Sequence, residues 1–433
     1  MRTVRAIAHS LLNQWEENGS YINLSLGKAT EGLSDGDRRF LTALTYGVVE
    51  RRITLDYHIG SLTKGTSLTP SLRNLLRMGL YELVFLNTPA HAAVNETVKL
   101  ARHKGEASLL NGVLRRVARE PACISLPPRE KNLARYLSIA HSVPLLTVKR
   151  LMTMLGEDTE GFLQSINEKA PLTLRVNTLK ITVEDYLEKL EEIGVSAVPT
   201  PYSPYGVRVL TDIPIPQLYG FEEGLFFVQD EASQISSLVL SPQAGETLID
   251  ICACPGGKSF GAAMLMGNTG EILSLDLHSS KLSLIEEGAK RLELTIITAR
   301  EQDGTIDNPL WHGCCDRIIC DVPCSGLGVF GKKADLRYKD ISSLDNLPTL
   351  QSQILQVASG YLKEGGILLY STCTINPAEN RGVVDAFLSS HPDFHLVPFS
   401  VGDLVADTGD LTLYPHRHHT DGFYIAKLER SRL

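Results

Sequence analysis

Residues 248–259 read LIDICACPGGKS. An apolar run ends in a turn holding Pro255, Gly256 and Gly257, and a helix is expected to open near Lys258. Paired glycines let a ligand approach the backbone, and a helix N-terminus favours an anionic group. A tight strand–helix turn needs the same glycines, so the loop alone fits both readings. Further apolar runs follow it: ILSLDL, TIITARE, DRIICDV and GILLYST, with helical segments expected at 279–292 and 348–363. Strands alternating with helices from about 236 onward predict a doubly wound parallel sheet.

The loop is neither GxGxxG nor a P-loop, because the spacing to Lys258 is wrong. With no pyrophosphate fingerprint, a nucleoside cofactor without phosphates fits, and S-adenosylmethionine is the obvious one. Asp276, at the end of the next run, suits the two hydroxyls of a ribose. Asp303, within Gln302-Asp303-Gly304, could accept from an adenine amino group.

The fourth and fifth runs end in ICDVPCSG and LLYSTCTI, which puts Cys324 and Cys373 just past two strand ends. Ligands of open α/β sheets bind outside those ends. A lone cysteine there is usually a small buried residue. Two of them, beside Asp321-Val322-Pro323 and Ser371-Thr372, suggest chemistry. A thiolate that adds to carbon 6 of cytosine makes carbon 5 a nucleophile able to take a methyl group, splitting one hard step into two. An acid bonded to N3 of the base eases the addition, a role for Asp321. A second thiol could assist release. A free thiol has a pKa of about 8.5, so the nucleophile needs a cationic field or a base. Lys258 and nearby helix N-termini are candidates. The chemistry alone does not choose between the two cysteines.

The chain has 433 residues, which suggests roughly two to three domains. With 43% apolar and 21% charged residues it is an ordinary globular composition, which excludes disorder as the dominant state. No run approaches the ~18 apolar residues of a membrane span. MRTVRAIAHSLL reads as the start of a folded helix, not as a signal peptide. Eight cysteines, with no CxxC pair, give no reason to expect disulfides or zinc, so reduced thiols in the cytoplasm are the expectation. HRHHTDG, at 416–422, is read as a loop before the last strand and not as a metal site.

Net charge is −8, unevenly spread. Residues 1–140 hold 19 Lys+Arg against 12 Asp+Glu, and the remainder holds 23 against 38. A basic head suits a polyanion, and a solvated helical surface would carry the same charge. The head reads as helical, with apolar periodicity at 72–86 and 109–117 and a break at Asn87-Thr88-Pro89. Arg115, Arg116 and Arg119 lie on neighbouring turns and are candidate RNA contacts. Pro121 and Pro127-Pro128 mark a boundary before a helical connector at 131–168 and a small α+β unit. Its first strand, LTLRVNT, carries Arg175 and Asn177, which could line a nucleic-acid surface or simply a sheet face.

These residues resemble the NOL1/NOP2/Sun family of RNA 5-methylcytosine methyltransferases, and the resemblance spans essentially the whole chain. ALTYGVVERRITLDYHI, TPAHAAVNETVKLAR and LLNGVLRRV are similar to a NusB-like RNA-binding head. LRVNT and VQDEASQ match the approach to the catalytic domain, and CACPGGK, DVPCSGLG, STCTINPAEN and TDGFYIAKL match its motifs. The resemblance implies that Cys373 attacks the base and Cys324 aids release. It implies S-adenosylmethionine binding by Cys252, Ala253, Cys254, Pro255, Gly256, Gly257, Lys258, Asp276, Asp303 and Asp321. Asp321 would serve both cofactor and base. DNA cytosine-5 methyltransferases use the other cysteine as nucleophile, so Cys373 rests on the resemblance. Two departures stand out: Cys254 where the family usually has alanine, and Ala334 where a proline is usual.

The expected architecture is multi-domain: an all-α NusB-like head (1–138), a connector with a small α+β module (139–235), and an α/β Rossmann-like class I methyltransferase domain (236–433). The expected reaction is S-adenosylmethionine-dependent methylation of carbon 5 of a cytidine in 16S rRNA, unassembled or partly assembled. The expected enzyme is a monomer, with no metal and no membrane partner. The rivals are the same chemistry on tRNA, a non-catalytic RNA-binding assembly factor, and a nicotinamide oxidoreductase. The missing GxGxxG and the paired cysteines count against the last.

Overall fold

The computed structural model describes residues 3–18, 22–339 and 344–432. The chain divides into two compact units: residues 1–167 with 332–339, and residues 168–331 with 340–433. The connector helices fall in the first unit, and the small sheet falls in the second with the large one.

In the first unit, ten helices are described: α1 (Val4–Asn18), α2 (Ile22–Ala29), α3 (Asp35–Glu50), α4 (Arg52–Leu62), α5 (Pro70–Val84), α6 (Ala90–Val98), α7 (Lys104–Arg119), α8 (Leu133–His141), α9 (Leu145–Leu155) and α10 (Thr159–Ser165). Local chemistry sets their starts. Ser34 caps α3 by accepting from the Asp37 N–H, and Asp35 and Asp37 complement the dipole of its first turn. Thr69 caps α5, with Pro70 at the first helical position, where no N–H is missed. Leu12, Leu41, Leu44, Leu75, Leu76, Leu110 and Leu114 fill the core. On α7 the apolar stripe of Leu110, Leu114 and Val117 is buried, while Arg115, Arg116 and Arg119 face solvent. The connector helices are tied in by the Thr54 hydroxyl, which donates to the Ile139 carbonyl, and by the Ile53 N–H, which donates to Ser142 Oγ at 2.9 Å.

The segment 332–339 completes this unit. Ala334 lies in its apolar core. Arg337 is 1% exposed and donates to the Ile166 carbonyl at 2.6 Å and to Asn167 Oδ1 at 2.9 Å. The Tyr338 hydroxyl donates to the Val49 carbonyl at 2.7 Å, and its ring lies edge-on to Trp15 and under the Arg52 guanidinium. Asp335 accepts from the Ile22 N–H at 3.2 Å.

The second unit opens with a small antiparallel sheet. Its strands are β1 (Leu172–Val176), β2 (Ala197–Pro199), β3 (Gly206–Val209) and β4 (Phe226–Val228), in the order β2-β3-β1-β4. Helix α11 (Val183–Glu192) packs Tyr186 and Leu190 into a core with Leu174, Val207 and Phe226. After α12 (Glu231–Leu240) come β5 (Thr247–Asp250), α13 (Gly257–Leu265), β6 (Glu271–Asp276), α14 (Leu282–Leu292) and β7 (Ile297–Glu301). Then follow β8 (Cys315–Asp321), α15 (Leu347–Tyr361), β9 (Leu362–Thr372), α16 (Arg381–Ser390) and β10 (Phe394–Leu396). A two-stranded ribbon, β11 (Phe399–Val401) with β12 (Leu404–Ala406), precedes β13 (Asp410–Leu413), α17 (Pro415–His418) and β14 (Phe423–Arg430).

The large sheet runs β7-β6-β5-β8-β9-β14-β10, with β13 also on β14. Strands β5 to β9 are mutually parallel, whereas β14 is antiparallel to β9, and β10 and β13 are antiparallel to β14. The sheet is therefore mixed, not purely parallel as the alternation predicted. Helix α16 carries the chain from β9 across to β10, which runs parallel to β9, and β14 then enters antiparallel between the two. Residues 416–418 also depart from their reading as a loop, since they belong to the short helix α17, which His419 caps. From β5 the chain winds first to β6 and later to β8 on the other side, so the carboxyl ends of β5 and β8 flank a topological switch point.

Arg337→Ala should leave the Ile166 carbonyl without its donor and cost about 3 kcal/mol. With Trp311→Phe as background, Trp15 fluorescence should report a lower urea midpoint for the head. An unchanged midpoint would refute the role given to this segment.

Candidate active site

Parallel pairing sets Asp321, the last residue of β8, opposite Ser371 near the end of β9. The loops that follow carry Cys324 and Cys373 to an Sγ–Sγ distance of 3.0 Å. Two further bonds hold the loops together: the Gly328 N–H donates to the Cys373 carbonyl at 3.1 Å, and the Gly422 N–H to the Gly328 carbonyl at 2.9 Å. A Cβ on Gly328 would lie 1.8 Å from the Gly422 carbonyl oxygen, so the loops cross at a distance only glycine allows.

The loop after β5 runs along the same edge. Lys258, in the first turn of α13, reaches Asp321 Oδ2 at 2.6 Å, and the Ser371 hydroxyl donates to Asp321 Oδ1 at 2.7 Å. The ammonium also lies 5.1 Å from the centre of the Phe423 ring. The one cation of this loop is thus spent on Asp321. Gly256 has φ +105°, and a Cβ there would strike the Phe260 ring, so its glycine is required by backbone and by packing. The Cys254 N–H donates to Asp276 Oδ2 at 3.2 Å, and the Ala253 N–H to the Leu275 carbonyl at 2.7 Å. Pro255 is exposed, and the Gly257 carbonyl accepts from Gln229 Nε2 at 3.0 Å.

Charge on this edge is mostly negative. Burial pushes the Cys252 thiol well above its ordinary range, and the carboxylates of Asp250, Asp321, Asp276 and Asp303 push it the same way. All four acids therefore converge on one loop. Burial likewise raises Cys254, with Asp276 adding to it. Asp303 is held low by the Thr305 hydroxyl and N–H, which both donate to its Oδ1. Asp250 is fully enclosed and pushed up to about 7 by burial, partly offset by the Ser259 hydroxyl at 2.7 Å. Cys324 is raised by its hydrogen bond to Cys373 first, then by burial and by the nearby Glu379 carboxylate.

The predicted site residues of the second unit divide into two groups. Cys252 to Lys258, Asp276, Asp303, Asp321, Cys324 and Cys373 gather at the carboxyl edge of the sheet. Arg175 and Asn177 do not serve as RNA-facing groups, because they are 1% and 0% exposed. Arg175 Nη2 donates to the Gly261 carbonyl on α13 at 3.1 Å, and burial lowers its pKa to about 10. Asn177 Nδ2 donates to the Gly224 and Leu292 carbonyls, each at 3.0 Å. Both clamp the small sheet to the catalytic domain. Sequence reading missed Ser371, Gln351 and Glu379, which hold the cysteine loops. The only signal for Glu379 was its place in STCTINPAEN. Among the described residues no group of three His, Cys, Asp or Glu could hold a metal ion, and no helix is long and apolar enough to cross a membrane.

Comparison with known proteins decides the family. The chain is 36% identical to the "Probable ribosomal RNA small subunit methyltransferase B" of Synechocystis, with 100% of both chains covered. The chain belongs to the ribosomal RNA small subunit methyltransferase B family. The protein of the same name from Bacillus subtilis is also 36% identical, with 99% of each chain covered. The family profile described as 16S rRNA methyltransferase RsmB/F matches residues 237–429, the NusB family matches 2–119, and an RsmF/B-like ferredoxin-like domain matches 143–216. The crystal structure of PH0851 superposes with a TM-score of 0.81 at 28% identity, covering 99% of this chain and 98% of that one. The fold is thus a NusB-like helical head, a ferredoxin-like module and a Rossmann-like methyltransferase domain, and the enzyme is a methyltransferase of this family.

Asp250 binds its proton more tightly folded than unfolded. Its contribution is full below about pH 4 and is lost as pH rises through about 7. Asp250→Asn should flatten the decline in urea stability between pH 5 and pH 8. An unaltered slope would show that Asp250 ionises freely in the fold.

Proposed function

We propose that the protein methylates carbon 5 of a cytidine in 16S rRNA, with Cys373 as nucleophile and Cys324 as the release residue. The observation that carries this reading is the 3.0 Å approach of the two thiols beside the Lys258–Asp321 pair. Matching to relatives named for small-subunit rRNA, and to a 16S rRNA methyltransferase profile, supports the substrate. The target base would leave its stack to reach the thiols.

The donor set at the sheet edge fits S-adenosylmethionine. Asp276 and Asp303 suit hydroxyl and amino donors, Gly256 and Gly257 leave the loop backbone open, and the loop has no cation to spare for a phosphate. When bound there by the 252–258 loop and these acids, S-adenosylmethionine supplies an electrophilic methyl group. The chain's own residues do the rest. The two sulfurs lie 3.0 Å apart, and the hydrogen bond to Cys373 and then burial favour the protonated form of Cys324, which leaves Cys373 as the thiol that attacks. Cys373 adds to carbon 6 as a proton passes from the Lys258 ammonium through Asp321 to N3 of the base, and the same path takes it back when the adduct collapses. After methylation the carbon 5 proton leaves to water and its electron pair forms the 5,6 double bond. The carbon 6–sulfur bond breaks toward Cys373, and the Cys324 S–H hydrogen-bonds the departing thiolate.

Mass spectrometry after incubation with 16S rRNA and S-adenosylmethionine tests the assignment. Cys324→Ala should trap a protein–RNA adduct and Cys373→Ala should form none. The reverse pattern would exchange the two roles, and methylation surviving both changes would end the covalent mechanism.

On the head, exposed Arg115, Arg116 and Arg119 supply sequence-independent attraction to phosphate. Reversing all three to Glu should weaken rRNA binding at least tenfold at low salt and reduce the slope of log K against log salt by about 2–3. Equal binding by the folded variant would remove α7 from the RNA surface.

A further inference from the structure

The two peptide groups that flank Cys324 are both tethered. The Pro323 carbonyl, on its N-terminal side, accepts from Gln351 Nε2 at 2.9 Å. The Ser325 N–H, on its C-terminal side, donates to Glu379 Oε2 at 2.8 Å. Gln351 Nε2 also donates to that same Oε2 at 3.0 Å, which closes the tethers into one bracket. Asn376 Nδ2 donates to the other oxygen, Oε1, at 2.9 Å, and the Ser325 hydroxyl meets Thr374 Oγ1 at 2.7 Å. Residues 374 and 376 lie just past Cys373, so one carboxylate joins both cysteine loops. Glu379 and Gln351 are each 0% exposed, on separate stretches of chain after β9 and in α15.

We propose that Glu379, with Gln351 as its second arm, is a positioning residue that holds Cys324 against Cys373 for release of the covalent adduct. The inference rests on the covalent reading above. A buried carboxylate ringed by neutral donors is costly to keep unless its geometry is needed. Three N–H donors converge on Glu379, and a carboxylate accepts from all three because it carries only acceptors. Glutamine of the same size must turn its NH2 toward at least one of them. The carboxylate has an electrostatic effect as well, since its charge opposes a second thiolate beside Cys373 and keeps the proton on Cys324. That proton is what the departing Cys373 sulfur needs as a hydrogen bond. Attack on carbon 6 and methyl transfer use the Cys373 sulfur and the Lys258–Asp321 pair, neither of which Glu379 bonds directly. Loss of Glu379 should therefore slow release and leave the first methyl transfer near its normal rate.

The experiment is a single-turnover methyl transfer to 16S rRNA transcript, with denaturing gel analysis of protein–RNA adduct at fixed times. Native enzyme, Cys324→Ala, Glu379→Gln and Gln351→Met are compared, each checked for folding by circular dichroism. In Glu379→Gln the adduct should accumulate about tenfold above native. First-turnover methylation should stay within about twofold, and kcat and KM should fall together with kcat/KM unchanged. Gln351→Met should shift the same way to a smaller degree, and it carries the test if Glu379→Gln does not fold. A parallel loss of adduct and first-turnover methylation would mean a structural role only and overturn the proposal. So would unchanged turnover. Absence of adduct in Cys324→Ala as well would instead bring down the covalent reading, and the proposal with it.

Discussion

The in-register pairing of β8 with β9 is the constraint on which the site depends. Asp321 lies opposite Ser371, so two loops leave the sheet side by side and their cysteines meet at 3.0 Å. A slip of one residue would turn every side chain to the other face and part them. The pairing is secured by apolar contacts among Ile318, Cys320, Leu368 and Tyr370, all fully buried. Polar bonds beyond the strand ends then fix what the sheet has brought near. The glycine crossing of Gly328 with Gly422 leaves those loops almost no room to drift.

The cofactor edge follows from the same sheet order. Winding outward from β5 in both directions leaves Asp250, Asp276, Asp303 and Asp321 facing one loop. So many acids would repel, and the structure distributes the load in different ways. Lys258 neutralises Asp321, Thr305 satisfies Asp303, backbone N–H groups satisfy Asp276, and Asp250 keeps its proton near neutrality. A site arranged like this has little attraction for a phosphate and ample acceptors for hydroxyl and amino groups.

Much of this was legible in the sequence. The β5 loop, the five parallel strands and the two strand-end cysteines could be read because apolar periodicity and glycine placement are local signals. Arg175 and Asn177 were misjudged because a basic strand residue looks the same in sequence whether its partner is RNA or a helix carbonyl. Only the absence of a side chain at Gly261, 86 positions away, makes room for the Arg175 guanidinium. The antiparallel β14 was equally hidden, since an apolar strand carries no mark of its direction. Glu379 lay in a recognisable motif, yet its work depends on Gln351 in the distant helix α15, and no local pattern joins the two.

The eight residues 332–339 give the molecule an unusual genetic character. Sequence order suggests that a head ending near residue 167 could be gained or lost by one cut. The fold needs two, since Ala334, Arg337 and Tyr338 supply core and donors to helices encoded far upstream. A fragment ending at 167 would be an unfinished body with a groove where Tyr338 belongs. The remainder would carry a basic segment, KKADLRYK, whose Ala334, Arg337 and Tyr338 had lost their partners. A substitution at Tyr338 would be felt at Trp15 in α1, Val49 in α3 and Arg52 in α4, so coupled change at these positions is the evolutionary trace to expect.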